Sequence, residues 1–217
     1  MRLVVTTILL ILLEFASTGT SSKCRDGVHN VITIDSYGNE TLPVEVRKIR
    51  IHVYDHEMKP SCYKKKVNVV MPGWFVIKRG EVDTSRDFNV VKDGAVSVSV
   101  SLDGDHICLN GKSDMFIVPE SLCSFEMSTF VPEEICKTLQ QKGLHTLKEL
   151  EEKISFNSTL EIPASPSFLG ISLLDVLKGN YRIKISIASE GKKIVEFALP
   201  TGYTDLKMGL NEADDED

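Results

Sequence analysis

The chain has 217 residues, 42% of them apolar and 26% charged, with a formal charge of −6. That composition excludes a disordered, fibrous or multi-span membrane protein. The acidic balance excludes a dedicated nucleic-acid binder, which needs a surplus of Lys and Arg on one face to neutralise phosphates. At the N-terminus Arg2 precedes an apolar run from Leu3 to Leu13 that Glu14 stops, followed by small residues up to Ser22. A run this short spans about half of a bilayer core, so residues 1–22 read as a cleaved secretory signal, cut near Thr18 to Ser22. At the other end Asn211 to Asp217 contains five acids, and residues 209–217 read as a solvated acidic tail. Without those five acids the charge falls from −6 to −1, so the body, residues 23–208, is nearly neutral.

Along that body the dominant signal is two-residue alternation. Strands are expected over Val46 to Tyr54, Lys66 to Met71, Trp74 to Lys78 and Phe88 to Lys92. Val96, Val98, Val100 and Leu102 then alternate with serines, giving a half-buried strand with one apolar and one hydroxylic face. Met115 to Val118, Leu122 to Phe130 and Ser158 to Ile162 follow. The chain closes on a hairpin, with Tyr181, Ile183, Ile185 and Ile187 on one strand and Val195, Phe197 and Leu199 on the next. Between Pro132 and Ile154 the period changes. Pro132-Glu-Glu134 starts a short helix that Gly143 is expected to end, and Thr146-Leu-Lys-Glu149 forms a capping box for another. Eight or more short strands with one helical insertion indicate an all-β sandwich or barrel.

Cys24, Cys62, Cys108, Cys123 and Cys136 follow the signal, and in an oxidising compartment they provide two disulfides and one odd thiol. The sequons at Asn39 and Asn157 fit the same secretory route and place a glycan on each. Catalytic chemistry lacks a carrier: there is no GxSxG, HExxH, phosphate loop or calcium loop, so neither an enzyme nor a cofactor is expected. His52 and His56 read as surface residues, and Asp103, Asp105, His106 and Cys108 as a polar hairpin turn and not a metal site. The cationic stretch Lys59 to Lys66, with Arg47, Lys48 and Arg50 nearby, either meets anionic lipid head groups or protects an edge strand. Pro163 to Leu177 is rich in both loop formers and large apolar residues. It either folds back on the core or forms an exposed lip at a ligand or membrane surface.

Several short motifs share one resemblance. Gly179-Asn-Tyr-Arg-Ile183 and the Ser189-Glu-Gly-Lys-Lys193 turn resemble the strand and turn that close the ML lipid-recognition domain. Cys24-Arg-Asp-Gly27, Val70-Met-Pro-Gly73 and Cys123-Ser-Phe-Glu126 resemble further segments of that family, in order, and the branch they resemble is that of the ganglioside activator. The chain departs from the family at Ile194-Val-Glu-Phe-Ala198, where a cysteine partner for the first cysteine is missing. The resemblance implies Cys108 paired with Cys123 and Cys24 with Cys62, leaving Cys136 odd. It implies an immunoglobulin-like two-sheet sandwich enclosing an apolar cavity. It also implies a secreted or lysosomal, non-catalytic protein that transfers or presents a sphingolipid, glycolipid or phospholipid, with transient membrane contact and a glycosidase or receptor partner. Phe116, Phe125 and Phe130 are the candidate cavity residues, and Phe168, Leu169, Ile171, Leu173, Leu174 and Leu177 the candidate lip. A lipid sensor acting through a receptor, and an adhesion or structural sandwich without lipid, are the alternative readings.

Overall fold

A computed structural model describes residues 24–38, 41–116, 118–129, 131–165, 167–168, 171–172 and 177–210. The segment 1–22, Asn39 and the acids of 211–217 lie outside them. The described chain is mostly β, in one curled mixed sheet plus a separate two-stranded ribbon. The curl originates at β1 (Val31–Ser36). Its first half pairs antiparallel with β2 (Val44–Asp55), Ile34 opposite Ile49, while Asp35 and Ser36 pair instead with Ala198 and Phe197 of β15 (Lys192–Leu199). Where β1 leaves β2, side chains replace the ladder: Val46 N–H donates to Ser36 Oγ at 2.8 Å and Lys48 N–H to Asp35 Oδ1 at 2.6 Å. Backbone donors near the switch therefore keep acceptors, which lets one strand serve two directions.

One wing continues from β2 to β5 (Gly73–Thr84), with β10 (Gly143–Thr146) and β11 (Thr159–Ile162) on the far edge of β5. The other runs from β15 to β14 (Gly179–Ser189) and then to β6 (Ala95–Leu102). The β14–β15 turn is Glu190-Gly191, both with positive φ (54° and 71°), the two-residue geometry that matches strand twist. Beyond β6 lie β7 (Asp105–Leu109), which pairs with β8 (Lys112–Ser113), and β9 (Ser124–Glu126). After residues 200–205 the chain rejoins β14 as β16 (Leu206–Met208), which pairs in parallel with β4 (Lys66–Val69). That strand in turn carries β3 (Cys62–Tyr63). The ribbon is β12 (Ser167–Phe168) with β13 (Ile171–Ser172).

Both wings contribute to one core, with Ile32 and Val53 from one and Val69, Val96, Val195 and Leu206 from the other all under 6% exposed. The expected alternation of β6 is present, but its hydroxylic face is not solvated. Ser99 and Ser101 are buried, and the β7–β8 turn covers Ser99, to whose Oγ Asn110 N–H donates at 2.9 Å. Two expected strands are absent among the described residues. Phe88 to Lys92 contains instead the start of a helical turn, α1 (Val90–Asp93), anchored by Asp93, which accepts from Ser189 Oγ and Glu190 N–H at 2.8 Å each. The described residues of the other, Met115, Phe116 and Val118, form turn and bend, and the Ser113 hydroxyl lies within hydrogen-bond distance of the Met115 and Val118 carbonyls. The helical insertion forms as α2 (Glu133–Leu139) and α3 (Leu147–Ile154), and Thr146 caps α3 by accepting from Glu149 N–H at 3.2 Å. α2 ends before Gly143, which opens β10 instead.

Cys24 is bonded to Cys62 and Cys108 to Cys123, the same two pairs that the resemblance implies, and Cys136 is a buried free thiol. No helix among the described residues is long and apolar enough to cross a membrane.

Candidate functional site

An apolar pocket of about 260 Å³ opens between the wings at the end where α1 and α2 pack. One wall comes from β2 and β5 through Val44, Val46, Ile49 and Val82. The opposite wall comes from β14 and β15 through Ile187, Ile194, Val195 and Phe197. Phe88, Val90, Met127, Val131, Leu139 and Gln140 close the end.

Local sequence explains why these side chains meet. The β2 irregularity around Lys48 (φ 53°) offsets its register against β5 and brings Ile49 beside Gly80. A Cβ at residue 80 would stand 2.9 Å from Ile49 Cγ1, so glycine makes room for that isoleucine. The α2 end is tied down by backbone: Thr84 Oγ1 donates to Leu139 C=O at 2.9 Å and Phe88 N–H to Gln140 C=O at 2.9 Å. Arg86 lies 4.2 Å above the Phe88 ring and 3.4 Å from Glu190, so an ion pair borders an otherwise apolar site. Neither a protein-family model nor a curated protein matches the chain. The site must therefore be read from its own chemistry.

That chemistry is exclusion of water. Gln140 supplies the only polar side chain among the described wall residues, and its Oε1 is shut off from solvent with no hydrogen-bond partner. Among the described wall residues none provides a nucleophile or a general base; they provide aliphatic side chains, the Met127 thioether and the Phe88 and Phe197 rings.

The nominated residues fall elsewhere. Phe116 is wholly exposed, because the Ser113-anchored bend turns it outward, so it does not line the pocket. Phe125 is half-buried on β9 against the core and outside the pocket wall. Phe130, Leu169, Leu173 and Leu174 lie outside the described residues, as do the side chains of Phe168 and Ile171. Leu177 is half-buried, and its carbonyl accepts from the Tyr181 hydroxyl, whose pKa burial pushes up to about 12. It precedes β14 at the end away from Ile187, roughly 30 Å along an extended strand, and so does not border this pocket. Asn157 is exposed between α3 and β11, with its side-chain oxygen accepting from Thr159 N–H at 2.9 Å. Phe88, Val90 and Gln140 were not anticipated; the only signal was that Phe88 and Val90 are apolar beside a turn.

In the polar hairpin turn Asp103 Oδ1 accepts from Asn180 N–H and Nδ2–H at 3.1 and 2.7 Å, and Cys108 is bridged to Cys123. In the cationic stretch Lys59 pairs with Glu57, and the neighbouring Arg47 pairs with Glu45 and Asp83. His52 is not a surface residue. It is half-buried with Nδ1 3.3 Å from Tyr54 Oη and 3.5 Å from Asp26 Oδ1, and the Tyr54 hydroxyl donates to that carboxylate at 2.9 Å. Fully buried Asn30 joins the knot by donating to Asp26 and to Val53 C=O.

Burial lowers the His52 pKa below its usual 6.5, against the upward pull of Asp26. The folded state therefore holds fewer protons than the unfolded chain just below 6.5, and stability rises with pH there. Urea unfolding from about pH 7 to pH 5 is expected to show wild-type stability falling, with His52→Gln flattening that limb. Parallel pH profiles for the two proteins would contradict the assignment.

Proposed function

We propose that the protein is a non-catalytic lipid carrier of the secretory route, secreted or lysosomal. In this reading the two wings are the sheets of an immunoglobulin-like, ML-type sandwich and the pocket between them is its cavity. It holds an aliphatic chain there and transfers or presents the lipid to a protein partner, an enzyme of lipid degradation or a receptor.

The observation that supports this reading is the pocket itself, apolar on both walls and large for a core defect. Apolar surface left facing water is unfavourable by about 25 cal/mol per Å², which an aliphatic chain seated in the pocket relieves. A void of about 150 Å³ already binds benzene, so a larger one has a ready occupant in any aliphatic chain. The volume accommodates on the order of nine groups of ~30 Å³ each. At about 0.8 kcal/mol per methylene, burying such a chain is worth roughly 7 kcal/mol, which corresponds to micromolar binding. The two disulfides fit the oxidising route.

Native mass spectrometry tests the proposal. The folded protein is expected to carry, or to take up, an aliphatic ligand that is lost on denaturation.

A further inference from the structure

We propose that a second groove, remote from the apolar pocket in its lining, binds a phosphate group through Arg79, Lys78, Lys48 and Lys148. It encloses about 390 Å³ where the irregularity of β2, the middle of β5 and the first turns of α3 meet. β10 sets up that meeting, since Thr146 pairs with Glu81 of β5 and the next residue starts α3. The groove shares no lining residue with the apolar pocket, so the inference goes beyond the carrier reading and does not depend on it. Its four cations are exposed, and the acids beside them are Glu81 and Glu151. Four cations against two acids leave two positive charges in surplus on a body that is otherwise nearly neutral.

These cations lack the internal partners that others on the same wing and its helices have. Arg47 pairs with Glu45 and Asp83, Lys137 with Glu133 and Lys153 with Glu149. Among the described residues Lys48, Lys78 and Arg79 form no ion pair, and Lys148 has a loose one, 3.6 Å from exposed Glu152. Arg79 also stands across the ladder from Arg50, and like charges facing each other in a sheet are unfavourable. A bound anion relieves that repulsion. Phosphate suits the groove in charge and shape: a monoester carries about −1.5 to −2 at neutral pH, two of its oxygens match the paired N–H groups of a guanidinium, and lysines add point charges. A carboxylate or a chloride brings a single charge and leaves the surplus half neutralised.

Calorimetric titration of the full-length protein with inorganic phosphate at fixed ionic strength is expected to show one site. Arg79→Ala and Lys78→Ala should each weaken it about tenfold. Lys192→Ala, which removes an exposed lysine of β15 outside the groove, should leave it unchanged. Without phosphate, Arg79→Ala should melt no lower than wild type, because its repulsion from Arg50 is gone; Lys78→Ala carries the comparison should it melt lower. Sedimentation with vesicles of phosphatidylcholine alone, or of phosphatidylcholine with phosphatidic acid, identifies the source of the group. Retention by the second alone, lost in Arg79→Ala, assigns a lipid headgroup; phosphate binding without retention assigns a soluble phosphate. No phosphate binding by wild type, undiminished binding in both groove variants, or an equal loss in Lys192→Ala overturns the site and leaves the carrier reading standing.

Discussion

Replacing Val82 with tryptophan is expected to weaken aliphatic-ligand binding by roughly 50-fold while the protein still folds. Val82 sits on β5 opposite Val46, is half-buried and lines the pocket. An indole there grows into open space and not into a packed neighbour. Displacing about three methylenes of ligand at ~0.8 kcal/mol each removes about 2.4 kcal/mol, which is that fold-change. The stability response separates two accounts of the same space. If it holds ligand, the variant loses binding and its melting temperature no longer rises when ligand is added, because mass-action stabilisation disappears. If it is only a packing defect, the variant gains stability and there is no binding to lose. Thermal melts of both proteins with and without an aliphatic alcohol decide between them.

Removing the Cys108–Cys123 bridge by a double alanine substitution is expected to cost about 3 kcal/mol, the loop-entropy value for a short closed loop. Their separation is 15 residues, and both cysteines are buried, at 3% and 0% exposure. For a chain of this size that is a fall in melting temperature of roughly 10 °C. The bridge ties β7 to the segment that opens β9, and Val98 N–H donates to Cys123 C=O at 2.8 Å across β6. Downstream of β9 the chain supplies Met127 and Val131 to the pocket end. Ligand affinity should therefore fall along with stability. Melting unchanged within about 2 °C would mean that this segment is held by packing alone.

How much of this could be read from the chain depended on whether the cause was local. The β14–β15 hairpin announced itself because strict alternation and a Glu-Gly turn are short-range signals. The Thr146 cap of α3 did so for the same reason. Phe88 to Lys92 was misassigned because two adjacent valines favour a strand, whereas the decisive interactions come from Ser189 and Glu190 across the molecule. The pocket was illegible for a further reason. Its wall is drawn from seven separated stretches between Val44 and Phe197, and nothing in the apolarity of Val46 or Val195 tells a cavity wall from a filled core. Sequence reading instead fixed on Phe168 to Leu177, where apolar residues are dense along the chain.

The central claim is that the space between the wings holds an aliphatic chain. Native mass spectrometry of the full-length protein, recovered from cells that secrete it and then incubated with a medium-chain alcohol, tests that claim most directly. The account predicts a folded species heavier than the polypeptide and its glycans by one ligand, shed on denaturation and absent from Val82→Trp. A folded protein at its bare mass, both as isolated and after incubation, would contradict it.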